Sequence, residues 1–239
     1  SYTADIAVSR LSVCKMKEAT SIVNKLIKYE MSPGPSEISD TLLMCGNFLY
    51  HVDTIPLSPG DTLYVSDSQK YNEELYQDHI APYWNGSRMR FFDTFTDFEE
   101  GDRYHVSPLH MQEQLSRGYF LVNEFSHGWI DAWGGLEGRD TPDGKYTYEN
   151  DLAETLINPN YTTIVSGACC VNWFDREPDS LCLSEAFMRN ENSNILAFVG
   201  YSREGFVCAH CDLMKYFYDG IFKYKMSTAE AVSYAKNRS

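Results

Sequence analysis

The runs Phe120-Leu121-Val122-Asn123-Glu124-Phe125-Ser126-His127-Gly128 and Thr163-Ile164-Val165-Ser166-Gly167-Ala168-Cys169-Cys170 decide the fold. Each is an apolar segment of strand length that ends in small or polar residues, the pattern of a strand buried on both faces. In open α/β sheets, ligands sit at the carboxyl ends of the strands, so the residues leaving each run are the ones to inspect. One run delivers an imidazole at His127 and the other a thiol at Cys169 or Cys170. If the two strands are parallel neighbours, about 4.8 Å apart, both groups overhang one edge of the sheet. A thiol attacks as thiolate and needs an adjacent base, and His is the side chain best suited near neutral pH. Gly128 and Gly167 flank the pair, and glycine lets a substrate carbonyl approach backbone N–H groups closely enough for an oxyanion hole.

The surrounding chain repeats strand and helix. Asp5 to Val13 reads as a strand, followed by a helix carrying Ala19, Ile22, Val23, Leu26 and Ile27 on one face. The cluster Ser32 to Ser39 stops that helix, and Thr41 to Cys45, Thr62 to Val65 and Phe91 to Phe95 are further strand-length runs. Glu73 to Tyr83 reads as a helix. Ser107-Pro108 predicts a capped helix running to Gly118, and Ser227 with Glu230 predicts a capping box on a terminal helix. Ile195 to Tyr201 is another buried strand, and Leu181 to Arg189 and Leu213 to Phe222 read as helices. Gly134 to Asp151 has neither period and is expected to be an exposed insertion near the site. The βα alternation predicts an α/β fold with a mostly parallel sheet and helices on both faces.

Composition narrows the function. With 20 Lys+Arg against 34 Asp+Glu, the 239-residue chain has a formal charge of −14 and no basic run, which disfavours nucleic acid as a partner. At 43% hydrophobic it has material for a core, and no apolar stretch is long enough to span a membrane. The seven cysteines are too few for a disulfide scaffold in a chain of this length. Cys208-Ala209-His210-Cys211 offers soft ligands without a second group at zinc spacing, so neither a metal nor a cofactor is expected. The chain is read as a single domain over 1–239, and an apolar pattern that starts at once without an initiator Met suggests a piece of a larger protein.

His127-Gly128, Trp133-Gly134 after four further residues, Ala168-Cys169 closing a strand and Phe174-Asp175 beyond it together resemble the gingipain family of bacterial cysteine peptidases. Ser184-Glu185-Ala186-Phe187-Met188 and Asp5-Ile6-Ala7-Val8-Ser9-Arg10 extend the resemblance over most of the chain. It implies a caspase-like three-layer sandwich, a Cys nucleophile, a His acid/base and an oxyanion hole from the N–H groups of Gly128 and the nucleophile. It also implies peptide or protein substrates and a secreted or cell-surface setting. Ser126 departs from the family, which usually has glycine there. Counting back from Phe174 without a gap selects Cys169, whereas matching a Cys-Val-Asn pattern selects Cys170.

Asp53, Asp67, Glu73 and Glu74 are candidates for a group that orients the imidazole. By resemblance, Arg203, Glu204 and Phe206 line the pocket for the residue before the cut bond, and Trp129 and Trp133 are expected to form an apolar wall beside the histidine. The leading expectation is an endopeptidase. The alternatives are a sortase-like transpeptidase with the same dyad and a catalytically silent binding module.

Overall fold

The computed structural model describes residues 8–31, 40–47, 49–50, 52–58, 61–92, 94–95, 103–104, 106–134, 147–176 and 181–239. In chain order the first elements are α1 (Met16–Met31), β1 (Thr41–Gly46), β2 (Val52–Ser58), β3 (Asp61–Ser66), α2 (Asp67–Leu75), β4 (Ser87–Phe92), β5 (Thr94–Phe95) and β6 (Arg103–Tyr104). There follow α3 (Pro108–Arg117), β7 (Leu121–Glu124), β8 (His127–Gly128), β9 (Ala132–Gly134), β10 (Thr147–Glu149), α4 (Asn150–Thr155) and β11 (Thr162–Ser166). The chain closes with α5 (Leu183–Arg189), β12 (Ile195–Val199), α6 (Val207–Tyr218) and α7 (Thr228–Lys236).

Five strands form the central sheet in the order β12-β11-β7-β1-β4, and every neighbouring pair is parallel. Successive side chains on a strand face opposite ways, and β1 shows it directly. Leu43 and Cys45 join Val122, Ile164, Met111, Leu115, Ala153, Leu183 and Phe187 in one core beneath α3, α4 and α5. Leu42 and Met44 join Leu121, Val165, Leu75, Met214, Phe217 and Ala231 in a second core beneath α2, α6 and α7. Helices therefore cover both faces, which gives the three layers of a caspase-like sandwich.

The predicted caps are present. Ser107 accepts from the His110 amide at the start of α3, Gly118 ends that helix at φ 71°, and Ser227 and Glu230 form the capping box of α7. Helix α1 forms as expected, yet Val23 and Ile27 are exposed while Ile22 and Lys25 are buried. Lys25 sets that rotation, because its Nζ donates to the carbonyls of Met188 (2.8 Å) and Asn190 (3.1 Å) on the α5 side. Burial lowers its pKa to about 8.

Other expectations need correction. Residues 8–13 form no strand, and Asp5 to Ala7 lie outside the described residues. Thr62 to Val65 belongs to a separate four-stranded antiparallel sheet, β2-β3-β5-β6, and not to the parallel one. Only residues 59–60 separate β2 from β3, too few for the crossover that parallel pairing requires. The helix expected at Glu73 starts six residues earlier, at Asp67, capped by Ser66, whose hydroxyl accepts from the Gln69 amide. It continues through a π turn and a 3-10 turn to Tyr83. Within the expected insertion, 147–149 pair with β9, and 135–146 lie outside the described residues.

An aromatic group packs between the sheet and α5 in the first core. The rings of Trp133, Tyr148 and Phe198 lie 5.2, 5.7 and 6.0 Å from that of Phe187, which is fully buried. Phe187→Ala is expected to cost about 3–5 kcal/mol, from lost transfer energy and the cavity left behind. Urea unfolding with unchanged m and a lowered midpoint is the expected result.

Candidate active site

The pairing of β7 with β11 sets the site. Glu124 stands opposite Ser166 in the parallel register, and the amide of Gly167 donates to the Glu124 carbonyl at 2.8 Å. His127 is three residues past Glu124 and Cys169 is three past Ser166 (124 + 3 and 166 + 3), so both leave the same edge at equal offsets. Contact is tight beyond the strands. A Cβ added at Gly128 would lie 2.9 Å from the Cys169 nitrogen and closer still to its carbonyl oxygen. Only glycine allows the histidine hairpin to press against the cysteine backbone in this way.

His127 opens the hairpin β8–β9, where it pairs with Gly134. Trp129 closes the turn by donating its amide to the Ala132 carbonyl, and the Leu183 amide at the start of α5 holds the tip through the Ile130 carbonyl. The imidazole Nε2 lies 3.2 Å from the Leu49 carbonyl oxygen. A carbonyl can only accept, so Nε2 carries the proton and Nδ1 is the nitrogen left for chemistry. The Tyr50 ring meets the imidazole edge-on at 4.9 Å.

Asp67 fixes this support from behind. Its carboxylate accepts from the amides of Leu49 (2.9 Å) and Tyr50 (2.8 Å), and it sits in the first turn of α2, where the helix dipole favours an anion. Of the four acidic candidates, Asp67 holds the backbone segment that presents the Leu49 carbonyl to the imidazole. Glu73 is committed to Arg88 (2.8 Å) and Arg90 (2.6 Å), and Glu74 lines a cavity between α2 and α6. The backbone of Asp53 lies on β2 opposite Val65, and its side chain lies outside the described part of the structure. The capping pair Ser66 and Gln69 was the sequence signal for Asp67, since it starts the helix at that residue. Nothing comparable marked Tyr50 or the Leu49 carbonyl.

Both cysteines lie past the end of β11, in a turn, so the alternation of strand side chains does not separate them. The turn does. Cys170 adopts φ 60° and is buried at 6% exposure, and burial pushes its thiol up from the ordinary value. Cys169 is half-buried, with Sγ 3.8 Å from the Gly205 carbonyl. The turn is held on two sides. Amides of Cys170 and Asn172 donate to the carbonyls of Arg203 and Tyr201, and the Ser184 amide donates to the Val171 carbonyl.

The expected substrate-lining residues divide. Trp129 and Phe206 are exposed, at 40% and 82%. Trp133 is not a wall of the site: it is 2% exposed, packed in the aromatic core, with Nε1 donating to Ser166 Oγ. Arg203 forms a two-pronged pair with Asp175 (3.0 and 2.7 Å) and covers the Trp173 ring at 4.5 Å. That pairing holds the Asp175 carboxyl below the usual range. Glu204 is exposed beside it. The buried ring of His210 donates from Nδ1 to the Gly167 carbonyl at 2.9 Å and stacks on Tyr201. Among the described residues no group of three His, Cys, Asp or Glu is arranged to hold a metal ion.

A family model for peptidase family C25 matches residues 1–239. The chain belongs to peptidase family C25. This is the gingipain family of cysteine peptidases, so the resemblance carried by the His127 and Cys169 motifs extends over the C25 chain as a whole. A solved structure described as "Structure of Protease" is similar to it with a TM-score of 0.61 at 15% identity, which shows a shared fold. That likeness covers 97% of this chain and 52% of the other, so the C25 chain spans about half the length of that protease. No curated protein matches it significantly in sequence.

The burial difference between the adjacent cysteines has a direct chemical readout. Brief iodoacetamide treatment of the native protein, followed by peptide mapping, is expected to alkylate Cys169 and leave Cys170 unmodified until denaturant is added. Modification of Cys170 ahead of Cys169 would contradict the assigned difference in burial.

Proposed function

We propose that this chain is the catalytic domain of a cysteine endopeptidase in which Cys169 is the nucleophile and His127 the general acid/base. The observation that supports it most is the packing of Gly128 on the Cys169 backbone, at equal offsets beyond one parallel strand pair. With Nε2 anchored on Leu49, Nδ1 of His127 takes the thiol proton. The thiolate adds to the peptide carbonyl, and the amides of Gly128 and Cys169 receive the oxyanion. As the C–N bond breaks, Nδ1 returns the proton to the leaving amine. Water, deprotonated by the same nitrogen, then attacks the thioester and releases the acid and the free thiol.

Tyr50, Trp129 and Phe206 are exposed aromatics around the dyad, and Arg203 is neutralised by Asp175. This rim favours peptides with apolar side chains near the cut bond over recognition by a single charge. The natural substrate is accordingly a protein or peptide, and the family resemblance favours an exported or cell-surface setting.

Cys169→Ala is expected to abolish peptide cleavage, and Cys170→Ala to leave most of it. His127→Ala should lower kcat by about 10²–10⁴-fold, the usual worth of acid/base catalysis, with melting unchanged because the ring is only partly buried at a strand exit. Cleavage at the parent rate by His127→Ala would contradict the mechanism. In a peptide library, apolar side chains should be enriched on both sides of the cut; an absolute requirement for one charged residue there would contradict the rim assignment.

A further inference from the structure

The motif Cys208-Ala209-His210-Cys211 contains a histidine that the proposed reaction does not use. Its members do not converge on a common point: Cys208 is exposed, Cys211 lines the cavity between α2 and α6, and the His210 ring is buried at 5% exposure. The His210 amide donates to the Phe206 carbonyl (3.1 Å), which places the residue at the end of the first turn of α6. Side chains on a helix lean toward its N-terminus, so the ring is aimed back at Gly205. Met214, Phe217 and Tyr218 anchor the same helix in the second core, which fixes the backbone that carries the ring.

The imidazole meets both segments that flank the Cys169 thiol. On one side is Gly167, the first residue beyond β11 and two before Cys169. Its amide still donates to the Glu124 carbonyl on β7 (2.8 Å), but its own carbonyl has left the ladder inside the protein, where it needs a donor. His210 Nδ1 supplies one at 2.9 Å. A carbonyl can only accept, so Nδ1 carries the proton and Nε2 is the bare nitrogen. On the other side is Gly205, whose carbonyl lies 3.8 Å from Cys169 Sγ. A Cβ added at Gly205 would lie 3.1 Å from the ring's Cδ2 and closer still to Nε2, so the ring edge rests directly on the Gly205 backbone. Tyr201 closes a third side. Its ring stacks on the imidazole at 3.6 Å, its hydroxyl donates to the His210 carbonyl at 3.0 Å, and its carbonyl accepts from the Asn172 amide in the cysteine turn.

We propose that His210 is a positioning residue for Cys169, whose Nδ1–H on Gly167 and ring edge on Gly205 set the spacing between the cysteine exit and the segment 202–206 that faces the thiol. The proposal rests on the assignment of Cys169 as the nucleophile. The hydrogen bond fixes the backbone two residues before Cys169, and the ring contact fixes the carbonyl beside Sγ. One rigid side chain thus holds the thiol from both flanks, and the Tyr201 stack holds its plane. Burial lowers the His210 pKa against the opposing pull of the Gly167 carbonyl, so the ring stays neutral and its Nε2 lone pair is kept toward Gly205. Gly205 does not have a positive φ, so what a side chain at that position would meet is the imidazole.

The test separates the hydrogen bond from the packing. His210→Asn keeps an N–H donor where Nδ1 stands and removes Nε2, whereas His210→Phe keeps a ring for Tyr201 and Gly205 and removes the donor. The Asn variant should retain kcat to within a few-fold of the parent. The Phe variant should lose on the order of ten- to a hundred-fold in kcat with little change in KM, the scale of a misplaced reacting group. Gly205→Ala, whose Cβ displaces the ring, should lose a similar factor. Adding His210→Asn to Gly205→Ala should recover most of that loss, because the ring atom nearest the new Cβ is gone; residues in contact couple in this way. A Phe variant with the parent's kcat, an Asn variant as impaired as Phe, or a double variant whose losses multiply overturns the proposal. Should the Phe variant fail to fold, Gly205→Ala with and without His210→Asn decides by itself. Labelling of Cys169 by a thiol-reactive peptidyl probe reports the peptidase reading separately: a parent protein that is never labelled there fails that reading, whereas a labelled, active parent whose His210 variants behave alike fails the role of His210 only.

Discussion

Parallel pairing of β7 with β11 in one register is the constraint from which the site follows. Strand pairing is specific to the residue, since a slip of one position turns every side chain to the other face. Here a slip would move Val122 and Ile164 out of one core and Leu121 and Val165 out of the other. The two cores thus lock the register, and the register delivers His127 and Cys169 to one edge at the same height. Hydrophobic burial, which is non-directional, becomes positional accuracy for an imidazole and a thiol because it acts through the period of the strand.

Much of this was legible in the residues. Apolar runs ending at Phe125 and Ala168 announced buried strands, and Ser107-Pro108 and Ser227 with Glu230 announced caps. These are local signals. The features that escaped depend on tertiary context. Trp133 lies close to His127 in sequence, but only the ladder to β10 and the packing of α5 show that its ring belongs to the core. Lys25 reads as a solvated cation until two carbonyls on the far side of the chain are seen to capture it. The antiparallel β2–β3 hairpin was hidden by Pro56, which lowers the strand character of its first arm. No pattern of side chains marks the Leu49 carbonyl, because it is backbone.

Among the described residues, the group that holds the imidazole is a carbonyl and not a carboxylate. A carbonyl holds Nε2, and Asp67 holds the segment that presents the carbonyl, so the anion acts one peptide away. The imidazole is fixed in tautomer and direction by a neutral dipole. A carboxylate in direct contact would instead stabilise the protonated ring.

Which atoms meet the substrate is decided by a crystal structure of the chain after reaction with a peptidyl chloromethyl ketone bearing apolar side chains. The expected product is a thioether at Cys169 Sγ, with the inhibitor oxygen within hydrogen-bond reach of the Gly128 and Cys169 amides, His127 Nε2 still on the Leu49 carbonyl, and the peptide lying along Trp129 and Phe206. Attachment at Cys170 or Cys208, or at Cys169 with the oxygen turned away from both amides, would contradict it.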